Sequence, residues 1–375
     1  MNISTAFDSG SVDIVSLERA DDIQLKIRKD SQSDFLQWFH FRLQGAAGEN
    51  CRIRFLNAGE TSYVKGWEDY RAVASYDRKH WFRVPTSFDG KELTIEHCPQ
   101  SNSVYYAYFE PYSSERHLDL IGMACESAWC EVERLGATVD GRDLDLLVLG
   151  DGDPAKRKIW VTARQHPGET MAEWFIEGLL ERLLDEDDAV SRSLLAKATF
   201  YIVPNINPDG SARGNLRTNA AGANLNREWM TPSLEFSPEV YLVRQKMHET
   251  GVDLFLDAHG DEALPYVFVA GCEGNPNYSP RLMQLENAFK QYWLQSNPDF
   301  QDQQGYEKDK PGEANLTLAT NYVGQHFDCL AYTIEMPFKD NANLPDEEYG
   351  WSGERSRKLG ASVLQPIFGV IDQLR

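Results

Sequence analysis

The chain has 375 residues, enough for two or three domains with a substantial core. Hydrophobic residues make up 42% and charged residues 25%, an ordinary globular balance, and no apolar run approaches the ~18 residues of a membrane helix. A formal charge of −21 argues against a nucleic-acid partner, whose phosphates it would repel. Residues Met1 to Asp8 lack the basic and apolar regions of a secretory signal, so a cytoplasmic location is expected. The six cysteines show no two-residue spacing and read as reduced, mostly buried thiols.

From about residue 20 to 110 the chain reads as β-structure. Ile23 to Arg28, Arg52 to Leu56, His80 to Val84 and Glu92 to Glu96 alternate apolar and polar residues, the period of a half-buried strand. Phe35 to Leu43 and Val104 to Phe109 are aromatic-rich and strand-like, and Asp89-Gly90 marks a turn between the strands at 80 and 92. Short strands at this spacing predict a small antiparallel sandwich. His40, His80 and His97 fall within these strands and read as packed or half-exposed residues.

The pattern changes after Pro111. Ser113 opens a helix-like stretch that reaches toward Trp129. Predicted strands at 144–149, 158–163, 198–203, 252–257, 266–269 and 330–335 alternate with predicted helices at 170–185, 238–250, 280–295 and 353–374. Such alternation predicts an α/β domain with a mixed, largely parallel sheet and a site at strand C-terminal ends. The shift in composition divides the chain into an N-terminal β-sandwich, 1–112, and an α/β domain, 113–375.

His166-Pro167-Gly168-Glu169 lies where a strand-like run gives way to a helix-like one. A His and a Glu three positions apart on such a turn can share one metal ion, although a solvated turn would read the same way. His259, at the end of Phe255 to Gly260, is a third N/O ligand at the same sheet edge, and two His with one carboxylate leave a position open, as in catalytic zinc sites. Asp257 shares a strand face with His259 and is placed either to orient it or to meet solvent. Glu335 closes the apolar strand Tyr332 to Glu335 and is a candidate general base, or a solvent-facing strand end. The stretch from Asn207 to Trp229 reads as a long polar loop, with Arg217 and Arg227 able to bind a carboxylate or a developing oxyanion.

His-Pro-Gly-Glu, Asn-Pro-Asp-Gly at 207–210, Asn226-Arg227-x-Trp229, a His after a strand and a Glu in a closing strand occur in the order found in zinc metallocarboxypeptidases. The chain resembles their cytosolic carboxypeptidase branch, through Gly214-Asn215-x-Arg217 ahead of Asn226, the aromatic run Tyr105 to Ser113 and the β-domain in front. The resemblance implies a peptidase domain of α/β/α architecture. It implies one Zn2+ ion on His166, Glu169 and His259, with Glu335 as general base and Arg217 polarising the scissile carbonyl. It also implies that Asn226 and Arg227 grip the C-terminal carboxylate of a peptide or protein substrate. Tyr306 and Tyr322 both precede the closing strand, and neither takes the place of the family's mobile tyrosine by alignment. Asn315 stands where tubulin-processing relatives carry a basic residue, so a preference for C-terminal Glu is not implied. A zinc amidohydrolase acting on N-acyl amino acids or side-chain-linked residues needs the same groups and remains the alternative, with a non-haem iron enzyme further off. No membrane or nucleic-acid partner is expected, and oligomeric state is left open.

Overall fold

Ten short strands build residues 2 to 107 into two five-stranded sheets, in a computed structural model that describes all 375 residues. One sheet runs Asn2–Ser4, His40–Gln44, Ser103–Ala107, Val73–Ser75, Phe82–Arg83, and the other Asp13–Ser16, Ile23–Lys26, Cys51–Phe55, Leu93–His97, Thr86–Phe88. Pairing is antiparallel except between Ile23–Lys26 and Cys51–Phe55. Aromatic side chains join the sheets: Phe39 lies 4.5 Å from Phe55, and Phe41 6.2 Å from Phe55, ring centre to centre. His40 is buried, His97 half-buried and His80 exposed.

Three details differ from the alternation pattern. The ladder starts at His40, because the backbone at Phe35 and Leu36 bonds to Asp30 and Ser62 instead. Only Phe82–Arg83 of the 80–84 run is strand, since the Asp77 carboxylate accepts the amides of Lys79 and His80 and holds a turn there. Asp89-Gly90 therefore links Thr86–Phe88 to Leu93–His97.

The second half forms a seven-stranded sheet in the order Cys130–Ala137, Asp143–Leu149, Ala198–Val203, Arg157–Ala163, Leu254–Asp261, Leu330–Pro337, Phe268–Ala270. Ala198–Val203, Arg157–Ala163, Leu254–Asp261 and Leu330–Pro337 are parallel to one another, and every other pairing is antiparallel. Ile159, Val161 and Leu256 join the helices Met171–Leu183, Pro280–Ser296 and Gly353–Ser362 in the larger core, whereas Trp160, Phe255 and Ala331 join Pro238–Thr250 and Ala319–Phe327 in the smaller one. That gives the three-layer α/β/α arrangement. The predicted final helix is two, Gly353–Ser362 and Leu364–Val370, because Pro366 has no amide to return to the Ser362 carbonyl. The 207–229 stretch contains a short helix, Pro208–Arg213, capped by the Asn207 side chain and ended by Gly214 in the left-handed region. No helix is long and apolar enough to cross a membrane.

The two halves share one core. Tyr108 stacks on Phe338 at 4.6 Å, and the buried Arg83 donates to the carbonyls of Phe338 and Trp351 at 2.8 and 2.9 Å. Helix Met171–Leu183 meets Gly353–Ser362 at two glycines. A Cβ on Gly178 would lie 1.9 Å from the Arg357 carbonyl oxygen, and one on Gly360 1.9 Å from that of Phe175. Backbone contact this close explains a glycine inside a helix despite its ~1 kcal/mol propensity cost. Gly178→Ala is expected to destabilise the fold by about 3 kcal/mol or more, read as a lowered urea midpoint with unchanged m-value.

Candidate active site

The His166 turn is fixed from beneath by a buried ion pair. Arg164, the residue after the strand Arg157–Ala163, adopts φ 62° and turns its guanidinium back under the turn. It donates to the carbonyls of Pro167 at 3.0 Å and Tyr112 at 2.9 Å, and to Glu173 Oε2 at 2.6 Å. Glu173 also faces His117 Nδ1 at 2.6 Å and accepts from Asn205 Nδ2 at 3.2 Å. Glu169, just before the helix, thus enters the site from a turn whose backbone is held on three sides.

The two imidazoles converge on one carboxylate. His166 Nδ1 stands 2.6 Å from Glu169 Oε1 and His259 Nδ1 2.7 Å from Glu169 Oε2. All three side chains are buried, and their ligand atoms lie within 4.8 Å of one another. The far nitrogens face acceptors: His259 Nε2 meets Asp257 Oδ2 at 2.8 Å, and His166 Nε2 meets Asn224 Oδ1 at 3.1 Å. Asp257 is itself anchored by the Thr162 hydroxyl and the Gln165 amide. A neutral ring with its proton on Nε2, the tautomer these acceptors favour, aims an Nδ1 lone pair at a carboxylate oxygen. Lone pair against carboxylate is repulsive unless positive charge lies between them. The residues present fit a single cation with two nitrogen ligands and one oxygen ligand.

The site's proton affinities register the same demand. Burial would lower His259, but Asp257 and Glu169 outweigh it and raise the ring well above its usual range. Burial, with Arg217 adding, lowers His166 to about 4. Burial works to raise Glu169, and the facing imidazoles overcome it and hold the carboxyl below its usual range.

Glu335 is the direct neighbour of His259 across parallel strands and is only 6% exposed. Its Oε1 accepts from the Tyr306 hydroxyl at 3.0 Å, while Oε2 is buried without a partner. Burial pushes its carboxyl well above the usual range, against the pull of His259 and with the push of Glu169 and Asp261. The Tyr306 hydroxyl also stands 2.7 Å from Asp261 Oδ2, so its single proton is shared between the two carboxyl groups. Tyr322 lies elsewhere, against Trp229 and His248. Of these two tyrosines Tyr306 is the one that lines the cleft, from a long loop whose sequence gives no periodic signal.

His166, Glu169, Arg217, Asn226, Arg227, His259 and Glu335 all line one cleft of ≈ 400 Å³. Asn226 Oδ1 accepts the Ala319 amide at 2.8 Å, which leaves its amide nitrogen free to donate. Arg227 spends one donor on the Asn226 carbonyl. Lys308 also lines the cleft but is tied to Glu273 at 2.8 Å, while Asn315 turns onto its own loop at Thr317.

The N-terminal half contributes residues that no local motif announced. Asp30 accepts the amides of Leu216, Arg217 and Thr218 at 2.6, 2.7 and 3.0 Å, fixing the loop that carries Arg217. The Arg217 guanidinium carbon lies 5.6 Å from the Phe35 ring centre and 5.4 Å from that of Tyr63. These rings hold the cation without consuming its N–H donors.

This fold is that of a family. Residues 117–351 match the zinc carboxypeptidase family model, and residues 3–109 match the cytosolic carboxypeptidase N-terminal domain. The chain belongs to the zinc carboxypeptidase family, hydrolases that use one catalytic zinc ion. It is 53% identical to a metallo-carboxypeptidase from Burkholderia cenocepacia, with TM-score 0.97 over 99% of both chains. It is 50% identical to a metallo-carboxypeptidase from Pseudomonas aeruginosa solved in complex with (2-guanidinoethylmercapto)succinic acid, with TM-score 0.97 over the whole of both chains. Cytosolic carboxypeptidase 6 of Caenorhabditis elegans is 26% identical over 370 residues, 89% of this chain and 78% of that protein. The family's metal is zinc and the clustered ligands lie on a mixed α/β sheet, which leaves the iron-enzyme alternative without support.

His117 gives a pH-dependent test of the network beneath the turn. Burial would lower its pKa, but Asp145 and Glu173 outweigh it and raise the ring to about 9. That lies above the ~6.5 of an unfolded histidine, so its charged contacts stabilise fully below pH ~6.5 and fade as pH rises through about 9. His117→Gln should therefore lower Tm most near pH 6, with the gap to the native protein narrowing by pH 10 in thermal unfolding.

Proposed function

We propose that His166, Glu169 and His259 hold the family's zinc ion, and that the chain removes C-terminal residues from peptides with Glu335 as general base. We further propose that residues 113–375 form the catalytic domain and residues 1–112 a β-sandwich domain that completes its cleft. The carrying observation is the convergence of two buried imidazole Nδ1 atoms on the two Glu169 oxygens, in one cleft with Glu335 and two arginines. Zinc bound there would polarise the scissile carbonyl and lower the pKa of a water molecule toward ~7.

The chain's own groups supply the rest. Glu335, with a buried free oxygen, is placed to accept the water's proton and return it to the leaving amine. Its burial among carboxylates strengthens it as a base. Tyr306 holds the other Glu335 oxygen and fixes the direction in which the carboxylate presents itself. Arg217 keeps its donors free beside the centre, where they stabilise charge developing on the carbonyl oxygen. Asn226 and Arg227 present donors to a terminal carboxylate, which confines cleavage to the last bond of a chain.

Two measurements test this. Glu335→Gln should lower kcat by about a hundredfold or more while zinc content, read by atomic absorption, stays at the native level. Native content with native kcat would remove Glu335 from the mechanism. Peptides ending in a free carboxylate should exceed their C-terminal amides in kcat/KM by about a hundredfold, and Arg227→Met should narrow that gap. Equal cleavage of acid and amide would rule out the exopeptidase reading.

A further inference from the structure

Glu262 follows the strand Leu254–Asp261 by one residue, lines the cleft and is 6% exposed. Its Oε1 is buried with no hydrogen-bond partner. A buried carboxylate without a partner is costly, and a bound cation offsets that cost. Glu169, Asp261 and Arg217 line the same cleft, and none of its cations forms an ion pair with Glu262. Asp261 is not free to serve the same purpose. Its Oδ1 accepts the amides of Ala263 and Leu264, and its Oδ2 accepts the Tyr306 hydroxyl.

The position of Glu262 relative to the arginines defines which part of a substrate it meets. Arg217 lies 5.4 Å from the ring of Tyr63, three residues before Gly66, which abuts the Glu262 Cβ, whereas Asn226, beside Arg227, is tied to the Ala319 amide. A peptide with its carboxylate at Arg227 and its last bond beside Arg217 therefore directs the residue upstream of that bond toward Glu262. The N-terminal half closes the cleft behind Glu262. A Cβ on Gly66 would sit 3.1 Å from the Glu262 Cβ and 3.2 Å from Gln37 Nε2, so the two halves meet there without room for a side chain.

We propose that Glu262 binds the α-ammonium group of a short peptide whose carboxylate is held by Asn226 and Arg227, so that the cleft reads a dipeptide at both ends. This rests on the carboxypeptidase reading and narrows it to a substrate class.

The test is calorimetry on zinc-loaded Glu335→Gln protein with Ala-Xaa dipeptides, Xaa being Ala, Leu, Glu or Lys, each compared with its N-acetylated form. The free amine should bind about tenfold tighter, the scale of one hydrogen bond between charged groups. Adding Glu262→Gln should abolish that preference without weakening the acetylated forms, and Glu262→Asp should restore part of it. Equal binding of the two forms, binding of neither, or a preference that survives Glu262→Gln overturns the proposal. So does tight binding of N-acetyl-Lys-Xaa alone, which would assign Glu262 to a side-chain ammonium. An equal loss for free and acetylated forms in Glu262→Gln also overturns it, since that would mean Glu262 acts by positioning Arg217. Hydrolysis of acetylated and free dipeptides by the native enzyme is followed in parallel. No hydrolysis of either, with the binding preference intact, would sink the carboxypeptidase reading and spare this one.

Discussion

Glu173 is the group on which the geometry of the cleft depends. It is fully buried in the first turn of the helix Met171–Leu183 and faces Arg164, His117 and Asn205, each from a different part of the chain. A buried carboxylate is tolerated only when its partners are complete, and loss of one partner from such a pair costs about 3–5 kcal/mol. The consequence is specificity of position. Arg164 reaches Glu173 from the left-handed conformation, and its guanidinium also binds the Pro167 and Tyr112 carbonyls. The turn between strand and helix is left with one arrangement, and His166 and Glu169 inherit it.

A second constraint crosses between the halves of the molecule. The Arg217 loop belongs to the α/β half, yet its amides are satisfied by Asp30 and its guanidinium is flanked by Phe35 and Tyr63. Gly222 carries the same message, since a Cβ there would lie 2.4 Å from the Gln32 carbonyl oxygen. Loops of the N-terminal half therefore brace the cleft, and Tyr63 is part of its wall. The strands of that half stop where loop contacts begin, which is why residues 35 to 39 leave the ladder that their aromatic pattern predicts.

What could be read from the chain follows from the range of the interactions involved. The inner strands and the longer amphipathic helices were legible because burial imposes a period on neighbouring residues. The strand Cys130–Ala137 was not, because it is a mostly exposed edge and carries little hydrophobic pattern. The short helix Pro208–Arg213 was signalled by Asn207 and Pro208, a cap and a first-turn proline, but the same residues also spell a turn. His166, Glu169, His259, Arg217, Asn226, Arg227 and Glu335 stood out through residue type and chain order, and the fold places them around one cleft. Asp30, Tyr63, Glu262 and Tyr306 gave no such signal. Asp30 meets its partners 186 to 188 residues away, a separation over which no local pattern operates.

Charge balance links these parts into one design. Around the two imidazoles stand the carboxyl groups of Glu169, Asp257, Asp261, Glu262 and Glu335, against the guanidinium groups of Arg217 and Arg227. In a chain with formal charge −21, such a cleft is strongly cation-seeking. In the proposed site a divalent ion at the His–Glu–His centre would supply most of the missing positive charge, and an ammonium at Glu262 would bring the sum closer still. Glu335 feels both sides of this balance. Burial and its carboxylate neighbours raise its affinity for a proton, while a nearby cation lowers it. A general base works best when its pKa lies near the operating pH. In the proposed mechanism Glu335 stands between an anionic wall that raises its proton affinity and a cation centre that would lower it, a balance that an exposed glutamate at a strand end would lack.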